Sequence, residues 1–151
     1  MSDGCNPVLV EMVRGDVVES RHRAAVAVVD TAGHVVLRAG DFEQAIFPRS
    51  AIKPLQALAL VETGAADTFA LSDGEIALAC ASHNGEDIHR DGVLAWLHRL
   101  GLAESDLVCG TATSRRTPAQ DNCSGKHTGF LTLARHLGHP VAGYHRFDHP
   151  V

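Results

Sequence analysis

At 151 residues, 45% of them apolar and 21% charged, the chain is long enough for one domain with a buried core, and its composition is globular rather than disordered or fibrous. A net charge of −5, with scattered basic residues whose densest group is Arg115 and Arg116, leaves no Lys/Arg stripe to track phosphates and argues against a nucleic-acid partner. The first seven residues carry Asp3 and no basic cluster, Glu11 and Arg14 break the apolar run that follows, and no window reaches the roughly eighteen uninterrupted apolar residues of a membrane helix. A soluble cytoplasmic protein without a membrane partner is expected, with Cys5, Cys80, Cys109 and Cys123 as reduced thiols.

Residues 8–14 and 17–19 are rich in β-branched side chains and flank Gly15 and Asp16, which predicts two short strands and a turn. Ala24 to Val29 and His34 to Arg38, separated by Asp30, Thr31, Ala32 and Gly33, predict a hairpin closed by Gly40 and Asp41. Helices are then expected from Ser50 to about Thr63, stopped by Gly64; from Gly74 to Cys80, opened by the capping-box pair Ser72 and Glu75; and from about Asp87 to Leu100, stopped by Gly101. From Cys109 to Asn122 hydrophobic periodicity is absent, which predicts an exposed loop. An apolar helix follows from about Thr128 to Leu137, stopped by Gly138, and the stretch from His139 to Val151 has no closing element.

The stretch Phe47-Pro-Arg-Ser-Ala-Ile-Lys-Pro54 stands where the β-rich third gives way to helices. If Ser50 begins a helix and caps it, Lys53 at i+3 shares its face, within reach of the hydroxyl. A serine hydroxyl is a weak nucleophile until an adjacent base activates it, and a lysine amine is such a base when burial or a neighbouring cation favours its neutral form. Arg49 is that cation, and Ile46, Phe47, Ile52 and Leu55 offer an apolar wall. Two more polar clusters stand at helix ends: Ser82, His83 and Asn84; and Asp121, Cys123, Lys126 and His127. Such residues also serve as ordinary caps and turns. Cys123-x-x-Lys126 is not an ordinary metal spacing, because a lysine amine must lose its proton to ligate. His127 is open as a ligand or base, and Cys80 inside an apolar helix reads as packing.

Three segments together, Phe-Pro-Arg-Ser-Ala-Ile-Lys-Pro-Leu-Gln-Ala (47–57), Cys-Ala-Ser-His-Asn-Gly-Glu (80–86) and Asn-Cys-Ser-Gly-Lys-His-Thr-Gly-Phe (122–130), resemble the bacterial asparaginase II family of the rhizobial type. The closing Asp-His-Pro-Val (148–151) is similar as well. The resemblance implies an α/β (α+β) fold similar to serine β-lactamases and glutaminases, and an amidohydrolase that turns L-asparagine into aspartate and ammonia through a Ser-Lys dyad. It implies Ser50 as nucleophile, Lys53 as its base, Ser82 as the serine of a second Ser/Lys pair, Arg49 as organiser of the site, and His83 and Asn84 lining the substrate pocket. It further implies a zinc site near the substrate, to which Cys123 and Lys126 contribute.

Family members run to about twice this length. The expectation is therefore a single partial domain over residues 1–151, the N-terminal half of the family's domain, lacking the C-terminal strands, the lysine partner of Ser82 and a further cysteine for the metal. Asp121 also stands where the family has asparagine. Such a half would leave an unpaired sheet edge and an exposed apolar face, which favours association as a homodimer. Two other readings stay open: a catalytically silent binding module that needs a partner, and a penicillin-recognising acylase or β-lactamase, which shares Ser-x-x-Lys but for which the chain has no Ser-Asp-Asn or Lys-Thr-Gly motif.

Overall fold

The computed structural model describes residues 6–110 and 116–151. Cys5, Arg115 and the middle of the expected 109–122 loop lie outside them. The chain forms two units, Met1–Phe47 and Pro48–Val151.

In the first unit, β1 (Val8–Arg14) pairs antiparallel with β2 (Val17–Arg23) around Gly15, whose φ of +59° suits the turn. β2 runs on to Arg23 instead of ending at Glu19. Its second half is polar, but Arg21 stands directly across the ladder from Glu11 and donates to its carboxylate at 2.7 Å, so an ionic cross-strand pair replaces apolar contact. β3 (Val26–Val29) pairs antiparallel with β4 (Val35–Ala39) in a separate two-stranded sheet. The Asp30 carboxylate closes that hairpin by accepting the N–H groups of Ala32 and His34 at 2.9 and 2.8 Å. Both sheets carry exposed apolar side chains, among them Val13, Val17 and Val36.

The second unit is helical. A 3₁₀ turn over Arg49–Ile52 leads into α1 (Lys53–Glu62), with Pro54 in the first turn, where a missing N–H costs nothing. Gly64, at φ +79°, ends α1 and starts α2 (Ala65–Thr68), a short helix the sequence reading lacked. α3 (Asp73–Cys80) opens on the expected capping box: Ser72 Oγ accepts from the Glu75 N–H, and the Glu75 carboxylate accepts from the Ser72 N–H. α4 (Asp87–Arg99) buries Val93, Trp96 and Leu97 on one face.

α5 (Ser124–His136) packs on α1, α3 and α4 between two apolar clusters. Leu60, Ala65, Ala79, Trp96 and Leu133 belong to one; Val93, Leu97, Leu107, Ala119, Leu131 and Tyr144 belong to the other. The buried face of α5 also contains Ser124, Thr128 and Thr132, each fully enclosed. The two threonines satisfy themselves by donating back to the carbonyls of Ser124 and Thr128 at 2.9 and 2.8 Å. Among the described residues the architecture is mixed α/β, antiparallel strand pairs followed by five α-helices. Among the described residues no helix is long and apolar enough to cross a membrane.

Two expectations need correction. Ser50 lies inside the 3₁₀ turn and its side chain caps no helix, because α1 begins only at Lys53. α5 begins at Ser124 rather than about Thr128. Ser, Gly and His are poor helix formers, and it is burial of this first turn that makes it helical.

Candidate active site

Three chain segments converge on one place: the 3₁₀ turn with the start of α1, the loop after α3, and the segment leading into α5. Ser50 Oγ donates to Ser82 Oγ at 3.2 Å, and Asn122 Nδ2 donates to the same Ser82 oxygen at 3.3 Å. Lys53 is 2% exposed, and its Nζ donates to the carbonyls of Ala81 (2.7 Å) and Asn122 (2.9 Å). The amine therefore ties the Ser82 loop to the segment before α5. Among the described residues no hydrogen bond joins Lys53 to Ser50. Of the apolar wall expected around the amine, Leu55 is exposed and Ile52 is half-buried.

Arg49, just before Ser50, is exposed and holds φ +51°, a left-handed conformation that a side-chain-bearing residue adopts at a cost. This sharp turn aims the Ser50 hydroxyl toward the Ser82 loop. Asn84 is exposed on that loop. His83, by contrast, is buried, with both ring nitrogens engaged: Gly85 N–H donates to Nδ1 at 3.1 Å, and Nε2 lies 3.0 Å from Ser124 Oγ. Burial lowers its pKa, and the neighbouring His89 and Lys53 act in the same direction.

The third cluster divides. Asn122 beside it reaches Ser82 through its amide and Lys53 through its carbonyl, whereas Cys123 sits at the start of α5 with its N–H donated to the Asp121 carboxylate at 2.9 Å. Lys126 Nζ stands 5.7 Å from the centre of the Phe130 ring, a cation–π arrangement. Among the described residues no group of three or more His, Cys, Asp or Glu side chains is placed to hold a metal ion. A firm zinc site uses three or four protein ligands. Cys123 and Lys126 by themselves would give such an ion two donors. Burial pushes the Cys109 thiol up to about 12, so it is a protonated packing group whose Sγ donates to Pro118 O.

His127 is neither free nor charged. Tyr144 Oη accepts from Val108 N–H and is hydrogen-bonded to His127 Nδ1, both at 2.8 Å. Burial drives the imidazole down to about 4, with Lys126 adding to the effect. The unfolded ring, at its ordinary 6.5, takes up a proton that the folded ring refuses until about pH 4. Stability from this group is therefore complete above about pH 6.5 and falls, by up to about 3 kcal/mol, as pH drops toward 4. His83 acts in the same direction. Urea unfolding at a series of pH values should show this loss, and His127→Asn, which keeps an acceptor near the Nδ1 position without titrating, should reduce it.

Asn122, Ser124 and Tyr144 were missed as site-building residues. Asn122 had a signal, since it opens the Asn-Cys-Ser-Gly-Lys-His segment, whereas Tyr144 lies in a stretch without periodicity. A search of curated proteins finds no match. The family model described as L-asparaginase II matches residues 10–151. With nearly all of its length matched, the chain belongs to the L-asparaginase II family.

Proposed function

We propose that the chain hydrolyses the side-chain amide of L-asparagine through an acyl-enzyme on Ser50, on a scaffold of the serine β-lactamase and glutaminase type. The supporting observation is the Ser50 Oγ to Ser82 Oγ hydrogen bond of 3.2 Å, with the buried amine of Lys53 bonded to the carbonyl of Ala81, the residue before Ser82. Lys53 is the base in this reading. Its Nζ donates to the carbonyls of Ala81 and Asn122, which fixes the amine beside the Ser82 loop. Ser50 Oγ attacks the amide carbon, the returned proton leaves with ammonia, and water then cleaves the ester to give aspartate and free Ser50. Exposed Arg49 and Asn84 are the groups that meet substrate from the solvent side, Arg49 suiting its α-carboxylate.

The test is release of ammonia and aspartate in equal amounts from L-asparagine by the purified chain. A folded chain that releases neither overturns the reading. A second reading, in which the chain acts only after self-association, is favoured by the exposed apolar side chains of β1 to β4. It requires specific activity to rise with protein concentration.

A further inference from the structure

The hydrogen bonds around His83 run in one direction. Gly85 N–H donates to Nδ1, so Nδ1 carries no proton and the neutral ring keeps its proton on Nε2. Nε2–H then donates to Ser124 Oγ at 3.0 Å, and the Ser124 hydroxyl donates onward to Ala119 O at 2.9 Å. Ser124 and Ala119 are fully buried, so this tether ends in the core and not in solvent. The ring is stacked on His89 with centroids 4.7 Å apart and planes 11° apart. Gly85, at φ +70°, lies so close to the Gln120 backbone that a Cβ there would meet its carbonyl. Ser82, next to His83, is the residue on which the Ser50 hydroxyl and the Asn122 amide converge.

We propose that His83 is a positioning residue: as its Nε2–H tautomer it locks the 82–85 loop onto Ser124 and Ala119, and so holds Ser82 between Ser50 and Asn122. The consequence for rate rests on the reading of Ser50 as nucleophile; the tether does not. Both ring nitrogens are spent inside the protein, which leaves the imidazole nothing to offer a substrate. The groups facing it are His89 from α4, Lys53 from α1, and Asp121 and Arg116 from the segment before α5; burial, His89, Lys53 and Arg116 lower its pKa and Asp121 raises it.

Nitrogen–proton correlation spectra of the chain should show His83 protonated at Nε2 and bare at Nδ1. His83→Ala should move the Ser82 Cβ resonance, and His83→Gln, whose amide donates to Ser124 from the Nε2 position, should bring it back. If His83→Ala fails to fold, Ser124→Ala breaks the same tether from its other end and should move the same resonance. The rate at which a fluorophosphonate labels Ser50 should fall about a hundredfold in the alanine variant and recover to within about fivefold in the glutamine variant, since misplacement of about 1 Å costs that much. A proton on Nδ1, a Ser82 resonance unmoved by loss of the tether, or a His83→Ala enzyme whose KM rises at unchanged kcat would overturn the proposal. Spectra as expected with Ser50 unlabelled even in the unaltered chain would support the tether and reject the nucleophile.

Discussion

Ser50→Ala is expected to cut ammonia release from L-asparagine by at least about a thousandfold, because without the hydroxyl no acyl-enzyme forms and only binding and polar stabilisation remain. The fold should survive. Ser50 is half-buried in a 3₁₀ turn and its side chain makes one hydrogen bond, to the exposed Ser82, whose lost partner water can replace. Unfolding should shift by no more than about 1 kcal/mol. Parallel denaturation and ammonia assays check both halves. Turnover retained in a folded variant would move the nucleophile elsewhere, with Ser82 the first alternative.

Gly125→Ala is expected to destabilise the helical unit by about 3 kcal/mol, at the upper end of overpacking changes. Gly125 sits in the first turn of α5 where that turn meets α3. A Cβ there would be driven into the Leu78 carbonyl, with the carbonyl carbon 2.6 Å away and Leu78 Cγ 2.8 Å away. Two of these atoms are backbone, so no rotamer change relieves the clash and α5 must move off α3. That movement carries Asn122 and Ser124 with it, and these hold Ser82 and His83. Thermal unfolding should drop by roughly 10 °C, and activity should fall with it at temperatures where the variant is still folded. A variant with unchanged unfolding would show that the two helices cross at a greater distance.

Much of the fold was readable where a local rule and the tertiary structure agree. The Gly15 turn, the Asp30 hairpin, the Ser72 capping box and the apolar face of α4 are of that kind. Of the three polar clusters, the residues of the first two come together at Ser50, Lys53 and Ser82, while from the third stretch it is Asn122 that joins them. What local rules could not supply came from burial. The Ser-Gly-Lys-His turn has weak helix propensity and becomes helical only because Gly125 fits against α3 and Ser124 is enclosed. Ser50 at i−3 from Lys53 suggested two side chains turned toward each other on one helix. The chain enters α1 through a 3₁₀ turn with Arg49 left-handed, so Ser50 turns to Ser82 while Lys53 turns inward to two carbonyls from distant segments. Nor does any spacing announce that His83, apparently a pocket residue, is spent on Ser124.

In the proposed reaction, the meeting of Ser50, Ser82, Asn122 and Lys53 makes Ser50 a nucleophile. The most direct measurement is intact-mass and peptide mapping of the chain after exposure to a fluorophosphonate, which an activated serine attacks at phosphorus with loss of fluoride. One adduct on the Ser50 peptide, absent from Ser50→Ala and strongly slowed in Lys53→Met, is the predicted result. An unlabelled folded chain, or an adduct on another serine with Ser50 untouched, would contradict it.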